Sequence, residues 1–286
     1  MKAHEVYQRV TDNIIREIEA GNLPPWLQPW RRKRRGSIFP RNAATKRSYS
    51  GTNVLILWSQ WLHCNYDQNL WLTFNQCRAL GGNVRKGEKS TTVIFVKKLA
   101  IQDNDEEKLI PMMKTFAVFN VGQCDGLVLP DPLPERPEPE RNQRVENFFD
   151  AVGAQVKWGE TMAAYLPSKD LITMPARADF KNAESLYATL AHEHIHYTGH
   201  KSRLNRELSV RFKEDSYAFE ELIAEIGAAM LCAHLDVTGE LRHASYCAHW
   251  LKILKQDSRA ILTAASMASK AADYLRAFSE ELDPSS

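Results

Sequence analysis

This 286-residue chain lacks any run of about 18 consecutive apolar residues, so no membrane-spanning helix is expected. It also lacks a C-x-x-C pair. The five cysteines (Cys64, Cys77, Cys124, Cys232 and Cys247) are odd in number. They suggest neither a disulfide framework nor a zinc ribbon, and suit reduced thiols in a cytoplasmic protein. No internal repeat is present, which argues against a solenoid. There is no nucleotide-binding glycine loop and no polymerase-type acidic cluster, so a primase fragment has no support. Neither a helix-turn-helix nor a zinc-finger pattern occurs, so major-groove reading of duplex DNA is not expected. The first 20 residues lack the continuous apolar stretch of a secretory leader. Charges of both signs run through an amphipathic pattern (Val6, Val10, Ile14, Ile18), which predicts a helix. No feature of the sequence indicates an oligomeric state.

The composition, 44% hydrophobic and 25% charged, is that of a folded globular protein, and the length suits two domains. The net charge of +2 conceals an asymmetry. Residues 1–130 hold 19 Lys and Arg against 11 Asp and Glu, a net +8. Residues 131–286 hold 18 against 24, a net −6. A basic half joined to an acidic half points to a polyanionic partner for the first.

Periodicity and turn residues predict an α+β protein of two domains. Residues 53–64 read as a helix with a Leu/Ile/Trp face, and residues 71–80 as a strand end followed by a helix. Residues 91–99 and 113–121 form a hairpin around the polar turn at 103–107. Residues 129–143 carry five prolines and read as an extended, semi-rigid linker. The domains are therefore 1–128 and 144–286, each expected to fold alone. In the second, 145–152 is helical, 156–158, 164–166 and 171–174 are short strands, and 243–281 supplies two scaffold helices. An edge strand beside the next helix could pair with an extended peptide.

That next helix carries His192-Glu193-His194-Ile195-His196, an H-E-x-x-H match. Residues four apart on a helix share a face, so His192 and His196 can hold one metal ion, with Glu193 projecting beside it. Zinc suits two imidazoles, a third ligand and an open water position, and another divalent metal is an alternative. A carboxylate next to such a water can take its proton, which is metal-assisted amide hydrolysis on a protein substrate. Gly199 is expected to end the helix. An extended H-E-x-x-H-x-x-G-x-x-H pattern fails, because its last position is Ser202. The third ligand is instead sought at residues 217–230. Glu221 and Glu225 lie four apart on a small, apolar face, where unpaired charge is costly. Glu221 as ligand, with Glu225 accepting from a ligand histidine, would account for both. Glu220 is the rival ligand. His194 points away from this face and is expected to be a packing or surface histidine.

Five of the seven tryptophans precede residue 72. Trp58, Trp61 and Trp71 fit core faces. Trp26 and Trp30 flank prolines and abut Arg31, Arg32, Lys33, Arg34 and Arg35. Arg41, Lys46 and Arg47 surround Tyr49, and Arg85, Lys86 and Lys89 follow in a glycine-rich loop. Aromatic faces stack on unpaired bases while cations follow phosphates, so single-stranded DNA is the expected partner.

Several stretches together carry a family resemblance. In the first half they are Pro25-Trp26 with Pro29-Trp30, Tyr49-Ser-Gly-Thr-Asn-Val54, Trp71-Leu-Thr-Phe-Asn-Gln76, Gly81-Gly-Asn-Val-Arg-Lys-Gly-Glu88 and Phe119-Asn-Val-Gly-Gln-Cys124. In the second they are the H-E-x-x-H with Thr198-Gly199-His200, Arg203-Leu204, and Tyr217-Ala-Phe-Glu-Glu-Leu-Ile-Ala-Glu225. The whole chain resembles the ArdC-type antirestriction proteins of conjugative plasmids, and its first half resembles the amino-terminal region of some conjugative primases. The resemblance implies a single-strand DNA-binding domain followed by a zincin-like metallopeptidase domain, and a role in protecting incoming DNA from restriction. Two functions compete: a DNA-coating protector, and a DNA-associated protease acting on proteins near single strands.

Overall fold

The computed structural model describes residues 3–20, 39–103, 106–128, 138–180, 182–206, 216–237, 247–257 and 259–280. The first half begins with α1 (Ala3–Glu19), β1 (Arg41–Asn42) and α2 (Thr52–His63). It continues with β2 (Leu70–Thr73), α3 (Phe74–Ala79) and β3 (Asn83–Val84). A long hairpin of β4 (Thr91–Asp103) and β5 (Glu106–Asn120) follows, then β6 (Cys124–Asp125). The main sheet runs β1-β2-β5-β4, with β1 and β2 parallel and the other pairs antiparallel.

Two of the family-like stretches are capping devices. In the first, Gln76 N–H donates to Thr73 Oγ1 (3.2 Å) while Gln76 Oε1 accepts from Thr73 N–H (2.9 Å). This reciprocal box satisfies two orphan donors at the start of α3. In the second, Asn120 Oδ1 accepts from Gly122 N–H (2.9 Å) and Gln123 Oε1 from Asn120 N–H (2.8 Å). Gln123 Nε2 also donates to Glu88, tying the glycine-rich loop to the same corner.

The second half holds α4 (Glu138–Val152), β7 (Val156–Trp158), β8 (Ala164–Leu166) and β9 (Leu171–Met174). Four helices follow: α5 (Ala183–Thr198), α6 (Ser216–Leu235), α7 (Cys247–Gln256) and α8 (Ala260–Glu280). The small sheet has order β7-β9-β8, so β8 lies at an edge, antiparallel to β9. Of the expected linker, residues 129–137 lie outside the described residues. Residues 138–143 are helical, because Pro139 stands in the first turn of α4, where a missing N–H costs no intrahelical bond.

One continuous apolar core crosses the two halves. Trp58 and Trp61 of α2 join Ile195 of α5, Leu231 of α6 and Ala268 of α8 in it. Helix α1 packs on α7, and α2 on α8. The α2 tryptophans are buried, as is Trp71. The expectation that each half folds alone does not fit this arrangement, because separating them exposes large aromatic surface.

Candidate metal centre

Helix α5 starts on Asn182, whose Oδ1 accepts from Ser185 N–H (2.8 Å). Its buried face, including Leu186, Leu190, Ala191 and Ile195, packs on α6. Gly227 of α6 permits the close approach: a β-carbon there would meet Ile195 Cδ1 at 2.9 Å. The docking sets Glu221 opposite the two histidines of α5.

His192 Nε2 and His196 Nε2 lie 3.1 Å apart. Each is 3.4 Å from a different oxygen of Glu221. An ion bound tetrahedrally at about 2.0–2.2 Å holds its ligand atoms about 3.3–3.6 Å from one another. The three donors fit that spacing, and their nitrogen–carboxylate chemistry suits a divalent cation.

The back of each ring faces another carboxylate. His192 Nδ1 is 3.7 Å from Glu225 Oε1, and His196 Nδ1 is 3.2 Å from Glu220 Oε1. Carboxylates at both Nδ1 atoms favour the Nδ1–H tautomer and leave the Nε2 lone pairs for a cation. Glu220 therefore stands behind the donor set and Glu221 within it. Burial works against a charged His196, but hydrogen bonds to Glu220 and Glu221 prevail and raise its pKa to about 10. The same surroundings that favour an imidazolium favour a metal cation. Burial raises the fully buried Glu225 to about 7, against the pull of His192.

Glu193 is buried on α5 and lines the same cleft of about 1150 Å³. Edge strand β8 forms one wall through Ala164 and Tyr165, and Tyr217 at the start of α6 stands on another. His194 does not join the site. It is completely buried, its Nδ1 lies 2.7 Å from the Leu190 carbonyl oxygen, and its ring packs on Phe149 at 4.7 Å. Burial lowers its pKa to about 4.

Two arginines beyond α5 had no assigned role in the sequence. Arg206 donates to the Ile195 carbonyl (2.7 Å), Thr198 Oγ1 (2.5 Å) and both oxygens of Glu220 (2.5 and 3.2 Å). Gly199 follows α5 as expected, but with φ −73°, so no left-handed turn requires it. The arginine does: a β-carbon there would lie 2.8 Å from Arg206 Nη2. Arg203 binds Asp170 and Tyr165, and its guanidinium covers the Tyr197 ring at 3.5 Å, tying the β8–β9 turn to α5. A lone arginine in a loop gives no spacing signal: Arg203 entered only within the family-like Arg203-Leu204 pair and Arg206 not at all.

Among the candidate DNA contacts, Trp26, Trp30, Arg31, Arg32, Lys33, Arg34 and Arg35 lie outside the described residues. Lys46, Arg47, Lys86 and Lys89 are exposed. Tyr49 is half-buried, its hydroxyl 3.4 Å from Asn42 Nδ2. Arg41, on β1, is half-buried. Arg85 is engaged within the fold, donating to Glu88, Asp125 and the Gly122 carbonyl. Phe95 and Phe116, which carried no such role in the sequence, stand 59% and 45% exposed in edge contact on the β4–β5 hairpin.

Comparison with known proteins agrees with this arrangement. Residues 4–119 match the N-terminal domain of the anti-restriction factor ArdC, and residues 143–267 match a zincin-like metallopeptidase domain. Such a domain implies a divalent metal. An uncharacterized protein of Sinorhizobium fredii, y4eC, is 40% identical over 96% of this chain and 92% of its own length. A DNA primase TraC of Escherichia coli is 34% identical over 96% of this chain, which spans only 27% of that primase. The crystal structure of the antirestriction protein ArdC from plasmid R388 superposes with TM-score 0.81 at 43% identity, covering 96% of this chain and 98% of that one. Its Mn(II)-bound form superposes with TM-score 0.78 at 42% identity, over 95% and 97% of the two chains. With both of its domains matched and relatives of this identity along nearly its whole length, the chain belongs to the ArdC family of antirestriction proteins.

Proposed function

We propose that this protein binds single-stranded DNA through residues 1–128 and shields incoming conjugative DNA from host restriction in the cytoplasm, and that residues 144–286 carry a metallopeptidase site. Conjugated DNA enters as a single strand, so a protein that coats it early can protect it. The net +8 of the first half, its exposed cations and the exposed Phe95–Phe116 pair support strand binding by charge and stacking.

The observation that carries the hydrolytic site is the convergence of His192, His196 and Glu221 beside Glu193 in a cleft with an edge strand on its wall. These three residues hold one metal ion, zinc by preference, with manganese in a relative marking the range of divalent ions. An ion held there would supply Lewis acidity and lower the pKa of a water. Glu193 takes and returns a proton as general base. Glu220 and Glu225 fix the two imidazoles from behind. The free edge of β8 aligns an extended polypeptide by backbone pairing, which makes a protein the substrate class.

A second reading makes hydrolysis of DNA-associated proteins the main activity. What favours it is Glu193 itself, a buried carboxylate beside the donor set that a purely structural site would not need. Cleavage of a generic unfolded protein, measured with and without single-stranded DNA for wild type and Glu193→Gln, tests the hydrolytic reading. Cleavage by wild type alone is expected; equal cleavage by both, or by neither, counts against Glu193 as base.

A further inference from the structure

Large apolar side chains are scarce on the surface of the second half. Among its described residues only two stand exposed, Met162 at 65% and Tyr217 at 67%. A single exposed apolar residue is ordinary on any protein. Here both line the cleft that holds His192, His196, Glu221 and Glu193.

The elements that build the site also place these two side chains. Met162 stands two residues before edge strand β8. Thr173 of β9 donates from Oγ1 to the Met162 carbonyl (3.2 Å) and to the Ala164 carbonyl (3.1 Å), which pins this segment to the small sheet. A polypeptide laid along β8 and extended by two residues passes Met162. Tyr217 lies in the first turn of α6, four residues before Glu221. That spacing is one helical turn, about 5.4 Å, on the same face.

Lys201 brings an exposed cation to the same cleft, which would suit an acidic substrate residue. Magnitudes decide against it. A charge pair at a solvent-exposed site is screened and gains little. Glu193, Glu220 and Glu221 also line the cleft and repel a further carboxylate from its centre. Apolar contact keeps its value in water. Met and Tyr offer it cheaply, because the thioether chain adapts its shape and the ring has few rotors to freeze.

We propose that Met162 and Tyr217 select the substrate: the site takes a polypeptide with a large apolar side chain within two residues of the bond to be cut. The proposal rests on the hydrolytic reading above and names the substrate class of that site. Large apolar side chains are mostly buried in folded proteins, so the preference confines cleavage to unfolded or extended segments, the form that β8 can pair.

The test uses the full chain loaded with zinc, with single-stranded DNA present and reduced, alkylated casein as substrate. Cleaved bonds are mapped by mass spectrometry. Wild type should cut where Leu, Ile, Met, Phe or Tyr stands within two residues of the bond, above the frequency of these residues in casein. Met162→Arg and Tyr217→Ser should keep wild-type metal content and melting temperature. Each should lower kcat/KM at those bonds about tenfold, the order of discrimination that an apolar contact supplies. Met162→Arg should also raise cutting beside Asp and Glu, and Met162→Leu should retain the wild-type sites. Such a change of site preference is what a merely structural role would not produce. No apolar enrichment in wild type, or unchanged sites and rates in both folded variants, would overturn the proposal. Enrichment of acidic residues that Lys201→Ala abolishes would also overturn it and give the choice of substrate to Lys201. Tyr217→Ser decides alone if Met162→Arg does not fold. If wild type cuts no bond with its metal bound, the hydrolytic reading falls first, and this selection falls with it.

Discussion

Gly227 of α6 lies so close to Ile195 of α5 that a β-carbon on the glycine would stand 2.9–3.0 Å from three carbons of the isoleucine side chain. This contact sits between the turn carrying His192 and His196 and the turn carrying Glu221. Gly227→Ala must move the helices apart or strain Ile195, and overpacking of this kind costs about 1–3 kcal/mol. Thermal unfolding should show that loss, and metal affinity should fall with it. A variant of wild-type stability and affinity would mean that the helix spacing is not set here.

Metal content separates the roles of the four acidic and imidazole neighbours. His192→Ala with His196→Ala should abolish stoichiometric binding, and Glu221→Ala should do the same. Glu220→Gln should keep one ion per chain while weakening affinity about 10–100-fold, as loss of an orienting partner does. Loss of the ion from Glu220→Ala with retention in Glu221→Ala would reverse the assignment.

Asp170 gives a pH signature away from the metal. Its hydrogen bond from Arg203, opposed by burial and helped by Tyr165, lowers its carboxyl to about 2 from an ordinary value of 3.8. A folded-state pKa below the unfolded one means stability that is complete above about pH 4 and lost as pH falls towards 2. Denaturant unfolding of wild type and Asp170→Asn should therefore differ by a constant amount above pH 4, with the gap closing below it. A gap independent of pH from 5 to 2 would remove the ion pair from the account.

Because Trp58 and Trp61 lie in the core shared with α8, strand binding is a property to measure on the intact chain. Affinity for a single strand should fall steeply with salt as released counterions lose their entropic advantage. Trp26→Ala should cost about 1–3 kcal/mol of binding if its ring stacks on a base. Salt-independent binding, or preference for duplex of equal length, would contradict the reading of the first half.

The part of the site legible in the sequence is the part set by helix periodicity. His192 and His196 share a face by spacing alone, and so do Glu221 and Glu225. Glu220 against Glu221 was open because adjacent residues differ by about 100° around a helix, and only the docking of α6 on α5 decides which meets the Nε2 atoms. Arg206 was invisible for a related reason: its partners are a carbonyl of α5, a threonine hydroxyl and Glu220, brought together only in three dimensions. Gly199 was placed correctly as the residue after α5, but for its lack of a side chain against Arg206 rather than for a left-handed turn. Arg85 is exposed, as expected of a loop cation, and the fold also engages it with Glu88, Asp125 and a carbonyl, which no spacing announced. The hairpin, the α2 face and the small strands followed from alternation and turn residues, whereas the common core of the two halves has no local signature.

Transfer of unmodified DNA into a restricting recipient is the most direct measurement, with the protein supplied as wild type or as Glu193→Gln. Glu193 is no proposed ligand and lies outside residues 1–128, the half proposed to bind the strand, so the variant should keep its fold, its metal and its DNA affinity. Coating a strand needs affinity and no turnover, so the account predicts protection equal to that of wild type. Lost protection with metal and DNA binding intact would contradict it and make proteolysis the means by which incoming DNA survives.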